Sequence, residues 1–379
     1  MPKINRAIIT GYELITSYGL GINALWDGLI HKKSAISKLK RFPATSFQSE
    51  NAATISSLTY QNDESLVIQM LKKVFLEKSI DIPKDAFLIL ATTVGEIDLL
   101  EKNVLEGKPE VVNSRFRETL KKIKELLKLK SEGIVISCAC ASSSSALAYA
   151  ASLIRQGKKD CVLIVACDCV SEFVFSGFSS LMALDKIQAK PFDKFRSGLS
   201  LGEAAGFILL MSEKRARLDK EEKLAEIAGW GYSCDANHMT GPSRQGLGLI
   251  KAINAALKSA GSAPNSVGCI AAHGTGTVYN DAMELVAFKE IFNDSPVPVY
   301  SIKGGTGHTL GAAGLVETIM ALKVLKEKII PPTVGLEVLD DQALGWVSLD
   351  SQRFKKKIII SNNCGFGGIN AALALRSLD

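Results

Sequence analysis

The sequence predicts an α/β protein, built in layers from two halves that share one order of elements. Two observations indicate this fold class. Strand-like apolar runs alternate with helical patterns along the 379 residues, and the order of elements in the first half recurs in the second. The composition fits a globular fold, because 47% of the residues are hydrophobic and 22% are charged, which allows a substantial core.

The first half contains four runs typical of strands, at residues 1–11, 86–91, 133–137 and 162–166. The last three are almost continuous in apolar residues, which favours a sheet covered on both faces. Residues 121–130 alternate lysine with leucine and isoleucine, and this pattern predicts an amphipathic helix with one solvated face.

Nothing in the sequence favours membrane insertion or secretion. No stretch approaches the roughly 18 consecutive apolar residues that a membrane-spanning helix needs. The charged start of the chain is not followed by the long apolar segment of a signal peptide. We therefore expect a soluble, cytoplasmic protein with no membrane span.

Two segments of the first half have counterparts in the second. Residues 134–159 predict a strand, a turn with Cys140, a small-residue helix and a basic helix end, and residues 299–328 repeat this order around His308. Residues 202–210 correspond in the same way to residues 365–373. We interpret this as an internal duplication with its seam in the charged stretch 217–223, which gives halves at residues 1–220 and 221–379.

Charge and cysteine content exclude several classes of protein. The net charge is +6, but the basic residues are spread out and no nucleic-acid-binding module is present, so we expect no nucleic acid partner. The eight cysteines lie mostly in apolar runs and match no zinc pattern, as expected of reduced thiols. A redox pair of Cys138 and Cys140 is disfavoured, because residues two apart on a strand have poor disulfide geometry.

Cys140 follows a predicted strand and precedes a helix rich in serine and alanine. The first turn of a helix has free N–H groups and a partial positive charge, which can stabilise a thiolate and a tetrahedral oxyanion. Cys140 therefore is a candidate nucleophile. The alternative is a buried structural cysteine.

Two of the four histidines lie in Gly/Thr-rich turns at strand-to-helix junctions. His273 begins the segment HGTGT, whose neighbour Asp281 can hydrogen-bond the turn in place, and His308 ends the segment KGGTGH. A metal site and two structural histidines are the alternatives. No third ligand accompanies the pair, so we expect no metal and no cofactor. With Cys140, the two turns indicate a thiol acyl-transfer enzyme.

In this order and spacing, the three motifs resemble those of β-ketoacyl-[acyl carrier protein] synthases, the elongating condensing enzymes of fatty acid and polyketide synthesis. Residues 191–203, 235–242 and 361–368 are similar to further segments of the family, and the likeness covers nearly the whole chain. The resemblance implies a thiolase-like duplicated αβαβα fold with two central mixed sheets.

The resemblance also implies a ping-pong reaction. Cys140 would take an acyl group from a carrier thioester, with the oxyanion held by the N–H groups of Cys140 and Phe366. His273 and His308 would bind the thioester carbonyl of a malonyl unit and assist its decarboxylation. The resulting carbanion would attack the acyl-cysteine and give a 3-ketoacyl product.

The same resemblance implies a fourth catalytic residue and several supporting ones. Lys303, the fourth catalytic residue, would order the site, paired with the supporting residue Glu317, and its alternative is a surface lysine in a turn. Phe366 would act as a gate over the cysteine, and its alternative is plain core packing. Further supporting residues are Thr275, Thr277, Thr306 and Asp281.

The implied partners are an acyl carrier protein bearing acyl and malonyl thioesters, and a second copy of the chain in a homodimer. Two alternatives stay open. One is a non-elongating partner subunit like the chain-length factors, which usually lack the cysteine. The other is a thiolase-type acyltransferase, because Cys364 lies in the C-terminal loop where thiolases carry a second catalytic cysteine. A histidine at position 308 argues against the starter condensing enzymes, which use Cys-His-Asn. The sequence does not indicate the acyl chain.

Overall fold

The structure, a computed structural model, describes residues 5–59, 64–107, 116–293 and 295–378. Within these ranges the first eight strands are β1 (Ala7–Thr16), β2 (Gly19–Leu20), β3 (Ser37–Lys38), β4 (Asn51–Ala52), β5 (Phe87–Ala91), β6 (Gly133–Ile136), β7 (Cys161–Asp168) and β8 (Ala204–Ser212). The remaining strands are β9 (Ala225–Cys234), β10 (Val267–Ala271), β11 (Val299–Tyr300), β12 (Ile329–Ile330), β13 (Gln352–Arg353), β14 (Ile358–Gly365) and β15 (Ile369–Arg376).

The helices are α1 (Ile22–Ile30), α2 (Leu66–Leu76), α3 (Ile97–Leu105), α4 (Phe116–Leu127), α5 (Ser142–Arg155), α6 (Glu172–Ser180), α7 (Glu213–Leu218), α8 (Leu247–Ser259), α9 (Val278–Phe292), α10 (Lys303–Thr306) and α11 (Ala313–Glu327). Short 3-10 turns lie at Pro264–Ser266, Leu310–Ala312 and Asp341–Ala343. The predicted strands are present with shifted ends: the first begins at Ala7, and residues 1–4 of its predicted range lie outside the described residues.

Ten strands follow one hydrogen-bonded path, and they fall into two sets with the same order. The first set is β6-β5-β7-β8-β1, and the second is β11-β10-β14-β15-β9. In each set the first three strands are parallel and the last two run antiparallel to their neighbours. The predicted duplicated fold with mixed sheets is confirmed.

The two predicted mixed sheets are joined to each other in the structure. They join edge to edge where β1 pairs with β9 through Ile8 with Glu226 and Ile9 with Ala225. Together with β2, which pairs with β1, hydrogen bonding connects eleven strands. The division at residue 220 remains a prediction; this residue lies between β8 and β9.

Five layers are stacked across the molecule. Helices α5 and α11 pack against each other and contact both sets of strands, so they form the central layer. Helices α2 and α4 cover the outer face of the first sheet, and α8 and α9 cover that of the second. Every residue of β7 and four of the five residues of β5 are buried, as their apolar runs predicted for strands covered on both faces. The same prediction is wrong for β6, whose four residues are only partly buried because this strand lies at the edge of the sheet.

Small side chains allow the two central helices to approach closely. Helix α5 begins with four serines, all buried, and α11 has glycine as its second residue. A Cβ atom added to Gly314 would overlap the hydroxyl of Ser144. This contact brings the first turns of α5 and α11 together, and with them the turns that precede these helices.

Candidate active site

Cys140 lies in the turn between β6 and α5, two residues before the helix begins. Ala139 adopts a left-handed conformation with φ 47°, which turns the chain sharply before the thiol. The Ser142 hydroxyl fixes this turn, because it accepts from the Cys138 N–H at 2.8 Å and donates to the Ala139 carbonyl at 2.6 Å. The thiol therefore stands at the N-terminus of α5, as predicted.

The electrostatics of this thiol differ from the prediction. Burial raises the pKa of Cys140 to about 11, since the charged thiolate is poorly solvated there. The positive charge of Lys303 and a hydrogen bond from the Phe366 N–H lower the pKa of Cys140 and offset only part of the increase. The sequence showed the helix N-terminus but not the depth of burial, which opposes the stabilisation of the thiolate that the helix N-terminus predicted.

His273 follows β10, and two carboxylates hold its turn. Glu284 accepts from the backbone N–H groups of His273 at 2.8 Å and Gly274 at 2.7 Å. Asp281 accepts from the Thr275 N–H at 3.0 Å. Both carboxylates are fully buried in α9. The predicted hydrogen bonding of this turn by the acidic start of the following helix is confirmed.

The His273 ring has a defined tautomer. Its Nδ1 atom lies 3.3 Å from Lys303 Nζ and 3.3 Å from Asn363 Nδ2, and both of these nitrogens carry only donors. Nδ1 is therefore the acceptor, and the proton of the neutral ring is on Nε2. Burial, followed by the charge of Lys303 and then by His308, lowers the pKa of His273 well below its usual value.

His308 has the same neutral tautomer as His273, but a backbone N–H group fixes it. The Leu310 backbone N–H donates to its Nδ1 at 3.2 Å, which again leaves the proton on Nε2. The His308 N–H donates to the Ser200 carbonyl, and the Gly202 N–H donates to the His308 carbonyl. These bonds fix His308 to the segment that precedes β8. Burial and the charge of Lys303 lower the pKa of His308 well below its usual value. Both imidazoles are neutral at pH 7.

Three of the four predicted catalytic side chains face one cavity, and Lys303 does not line it. Its volume is about 860 Å³, and Cys140, His273 and His308 all line it. The two imidazole rings have centroids 5.1 Å apart and planes at 82°. The two rings can therefore face one thioester, in a cavity that the thiol also lines.

Lys303 and Glu317 lie behind the imidazoles as the predicted ion pair, and each side chain is at most 3% exposed. Lys303 Nζ also donates to the His273 carbonyl at 2.5 Å. Asn363 Nδ2 donates to the second Glu317 oxygen at 2.7 Å. The alternative of a surface lysine is wrong, and burial without this partner would be costly for either charge.

The remaining predicted residues separate into two groups. Thr275 and Thr277 line the cavity, and their hydroxyl oxygens are 2.9 Å apart. Phe366 also lines it, partly buried and stacked on Phe178 with centroids 5.7 Å apart. Thr306 does not line the cavity, because its hydroxyl bonds to carbonyls of its own turn. The gating role of Phe366 remains a prediction.

Sequence reasoning missed three polar residues beside the site. Asn363 contacts His273 and Glu317, and its side-chain oxygen accepts from the Ser144 hydroxyl. Asp168 accepts from the Gly311 N–H at 2.7 Å, three residues after His308. Only the unusual serine run and the Asn-Asn pair in the sequence hinted at these contacts.

No group of three or more His, Cys, Asp or Glu side chains suited to a metal ion occurs among the described residues. All eight cysteines are free thiols, so Cys138 and Cys140 are not bonded to each other. In the ranges that the structure covers, no helix combines the length and the apolar character needed to cross a bilayer.

Comparison with known proteins gives the family. Residues 122–216 match the family model beta-ketoacyl synthase, N-terminal domain, and residues 224–337 match beta-ketoacyl synthase, C-terminal domain. These two matches together cover more than half of the chain.

Similar proteins extend the match to the full length. The 3-oxoacyl-[acyl-carrier-protein] synthase 2 of Coxiella burnetii is 29% identical over 411 residues, covering 98% of both proteins. The Vibrio harveyi protein of that name is 28% identical over 409 residues, with 98% of this chain and 99% of that protein covered. The solved ishigamide ketosynthase/chain length factor is 28% identical with a TM-score of 0.89, and each chain is covered completely. The chain described above belongs to the β-ketoacyl synthase family.

Proposed function

We propose that the chain is a 3-oxoacyl-[acyl carrier protein] synthase, which joins an acyl group on Cys140 to a malonyl unit with loss of carbon dioxide. The observation that carries the proposal is the shared cavity of Cys140, His273 and His308, in which both imidazoles are neutral with the proton on Nε2.

The first half-reaction transfers the acyl group. Cys140 Sγ attacks the carbonyl carbon of the acyl-carrier thioester and forms a new C–S bond. The bond to the carrier sulfur breaks, and the thiol proton leaves with the carrier thiol. The N–H groups of Cys140 and Phe366 stabilise the oxyanion, and the hydrogen bond from Phe366 to the thiol supports this assignment.

The second half-reaction makes the new carbon–carbon bond. The malonyl thioester loses carbon dioxide, and its electron pair forms an enolate. That carbon attacks the acyl-Cys140 carbonyl, the C–S bond to Cys140 breaks, and the product is a 3-ketoacyl carrier. Decarboxylation supplies the carbanion, so no strong base is required.

The protonation state of the histidines suits this step. Two neutral Nε2–H groups can donate to the enolate oxygen as negative charge develops, and neither carries an extra proton that would quench the carbanion. Burial and then the charge of Lys303 keep both rings neutral, and Lys303 also holds His273 through the backbone carbonyl. The buried Lys303 and Glu317 thus act through the histidines and not on the substrate.

The proposed substrate carrier is an acyl carrier protein. The exposed side chains of Met182, Arg244 and Tyr279 line the cavity, so a carrier that delivers its arm to Cys140 meets this surface.

We also propose a homodimer. Strand β6 ends the hydrogen-bonded path, its residues are only partly buried, and an apolar edge strand can pair with a second chain. The cytoplasmic location stays a prediction.

Mass spectrometry of the intact enzyme tests the reaction. After incubation with an acyl carrier, we expect one acyl group on Cys140, which malonyl carrier then removes as a 3-ketoacyl product. An enzyme that is never acylated, or an acyl group that malonyl carrier leaves in place, would contradict the proposal. Alkylation by iodoacetamide is a weaker test, because Cys234 is exposed and Cys364 also lines the cavity.

A further inference from the structure

Asp168 and Asn363 occupy equivalent positions in the two sets of strands. The residues two positions earlier, Ala166 and Ser361, pair with the last residue of β5 and the last residue of β10. Asp168 ends β7, and Asn363 lies near the end of β14, the strand that takes the place of β7 in the second set. Each side chain therefore meets the loop that follows the neighbouring parallel strand.

The two side chains bind different kinds of partner. Asp168 accepts from the Thr92 hydroxyl at 2.7 Å and from the backbone N–H groups of Thr93 at 2.9 Å and Val94 at 3.0 Å, besides Gly311. These donors are backbone amides and one hydroxyl, and none of them titrates near neutral pH. The role of Asp168 is thus to hold the loops in shape.

Asn363 instead contacts a catalytic ring. Its Nδ2 atom donates to Glu317 Oε2 at 2.7 Å and lies 3.3 Å from His273 Nδ1, and its Oδ1 atom accepts from the Ser144 hydroxyl. Ser144 is in the first turn of α5, four residues after Cys140. One fully buried amide therefore joins the nucleophile helix, the ion pair and the first histidine.

We propose that Asn363 is a positioning residue for His273, which keeps the ring proton on Nε2 and fixes the ring relative to the helix after Cys140. The Ser144 hydroxyl holds the amide oxygen, so only N–H groups can face Nδ1. Lys303 also donates to Nδ1, while its other two N–H groups serve Glu317 and the His273 carbonyl. Asn363 adds the contact that connects the ring to the helix after Cys140.

Histidine ¹⁵N NMR tests the tautomer directly. The chain has four histidines, so H273A identifies the relevant signals by their loss. In the wild-type protein we expect an unprotonated Nδ1 and a protonated Nε2 on His273. In N363D a carboxylate replaces the donor, and we expect Nδ1 to become protonated. The matched control is D168N, the reverse exchange at the equivalent position, which should leave the His273 signals unchanged. An unchanged His273 signature in N363D would overturn the proposal.

Kinetics test the consequence, which rests on the proposed function. Without an acyl donor, N363A should release carbon dioxide from malonyl carrier about 10-fold more slowly than wild type, as expected for one lost hydrogen bond of about 1.4 kcal/mol. Acylation of Cys140 should stay within about 2-fold, since it does not need His273 in this tautomer. Equal losses in both steps would indicate a merely structural role and overturn the proposal, as would a wild-type rate of decarboxylation.

The role of Asn363 can still be tested if the proposed function fails or if N363D does not fold. If the wild-type protein released no carbon dioxide from malonyl carrier, the proposed function would fail, and the NMR comparison would still decide the role of Asn363. If N363D did not fold, S144A would replace it, because an amide freed from Ser144 can rotate its oxygen toward Nδ1. We then expect a mixture of His273 tautomers, and a single unchanged tautomer would contradict the proposal.

Discussion

The turns before α5 and α11 lie at equivalent places in the two halves, but they carry different chemistry. In the first half the chain passes from β6 directly into α5, and the thiol of Cys140 sits at that junction. In the second half α10, which begins with Lys303, and a 3-10 turn lie between β11 and α11, and His308 lies in the link between these two elements. The second half therefore supplies both a charge and an imidazole where the first supplies one nucleophile.

This difference explains how the halves influence each other. The ammonium group of Lys303 lowers the pKa of Cys140 in the other half, and it lowers those of His273 and His308 in its own. One buried cation thus favours a thiolate and two neutral imidazoles together. The duplicated framework places and buries the groups, and burial causes the largest shift in each pKa; Lys303 of the second half then lowers the pKa of all three groups.

Removing the thiol should give the largest effect. C140A loses the nucleophile of the first half, so condensation should fall by more than about 10³-fold, measured as 3-ketoacyl carrier formed from acyl and malonyl carriers. The matched control is C364A, since Cys364 lines the same cavity. If C364A failed to form the acyl-enzyme on Cys140, a second catalytic cysteine of the thiolase type would be favoured.

Removing an imidazole should separate the two half-reactions. H308A should lower malonyl decarboxylation by about 10²- to 10³-fold, the usual loss when one donor to a developing oxyanion is removed. Some acylation of Cys140 should remain, because the thiol and its oxyanion donors are intact. Carbon dioxide release and acyl-enzyme mass measure the two steps. Condensation at the wild-type rate would show that the assigned roles are wrong.

The ion pair should matter for stability as well as for chemistry. K303M leaves Glu317 buried without its cation, and we expect a loss of about 3–5 kcal/mol in the free energy of unfolding, measured with urea. The double variant K303M/E317Q removes the stranded charge and should recover part of this loss. An unchanged unfolding free energy in K303M would mean that Glu317 is solvated in the folded protein.

The smallest expected effect is in the pH dependence of stability. The pKa of His308 is depressed in the folded protein, so below about pH 6.5 the unfolded chain binds a proton that the folded chain cannot. Folding is therefore weakened as the pH falls, by at most about 1.4 kcal/mol per pH unit for one histidine. Asp168 has the opposite effect on stability. Burial raises the pKa of Asp168 to about 6, so the contribution of this group to the free energy of unfolding is lost as the pH rises through 6.

Comparing wild type with H308N separates the contribution of His308 to the pH dependence from that of Asp168. Urea unfolding of wild type and H308N at pH 6.5 and 5.5 should show the smaller loss of stability in H308N, while Asp168 contributes equally to both proteins. An equal loss in both proteins would indicate that His308 takes up a proton in the folded state.

The sequence predicted the fold class and the meeting of Cys140, His273 and His308, because each follows an apolar strand at a Gly- or Ser-rich turn. It also predicted the Lys303–Glu317 pair through the resemblance to the family. The fold class and these residues could be predicted because they depend on short local patterns that are visible in one sequence.

The features that the sequence could not predict depend on how deeply a side chain is buried and on contacts between residues that are far apart in the chain. Asn363 and Ser144 are 219 positions apart, and the serine run and the Asn-Asn pair that contain them do not indicate that these two side chains form a hydrogen bond. The raised pKa of Cys140 follows from burial beneath both halves, which the order of elements does not reveal. The joining of the sheets at β1 and β9 likewise needs three-dimensional packing.

The junction between β1 and β9 has a consequence for how the chain could be divided. Within the described part of the chain, two residue pairs link the sheets there, and the connecting loop at residues 219–224 has no buried residue. A break in that loop would cut no strand, yet it would separate the thiol from both imidazoles. Each fragment would also expose one side of the α5–α11 contact, so the two pieces would have to reassociate before either could turn over substrate. The loop thus offers a place to make the enzyme as two complementing polypeptides.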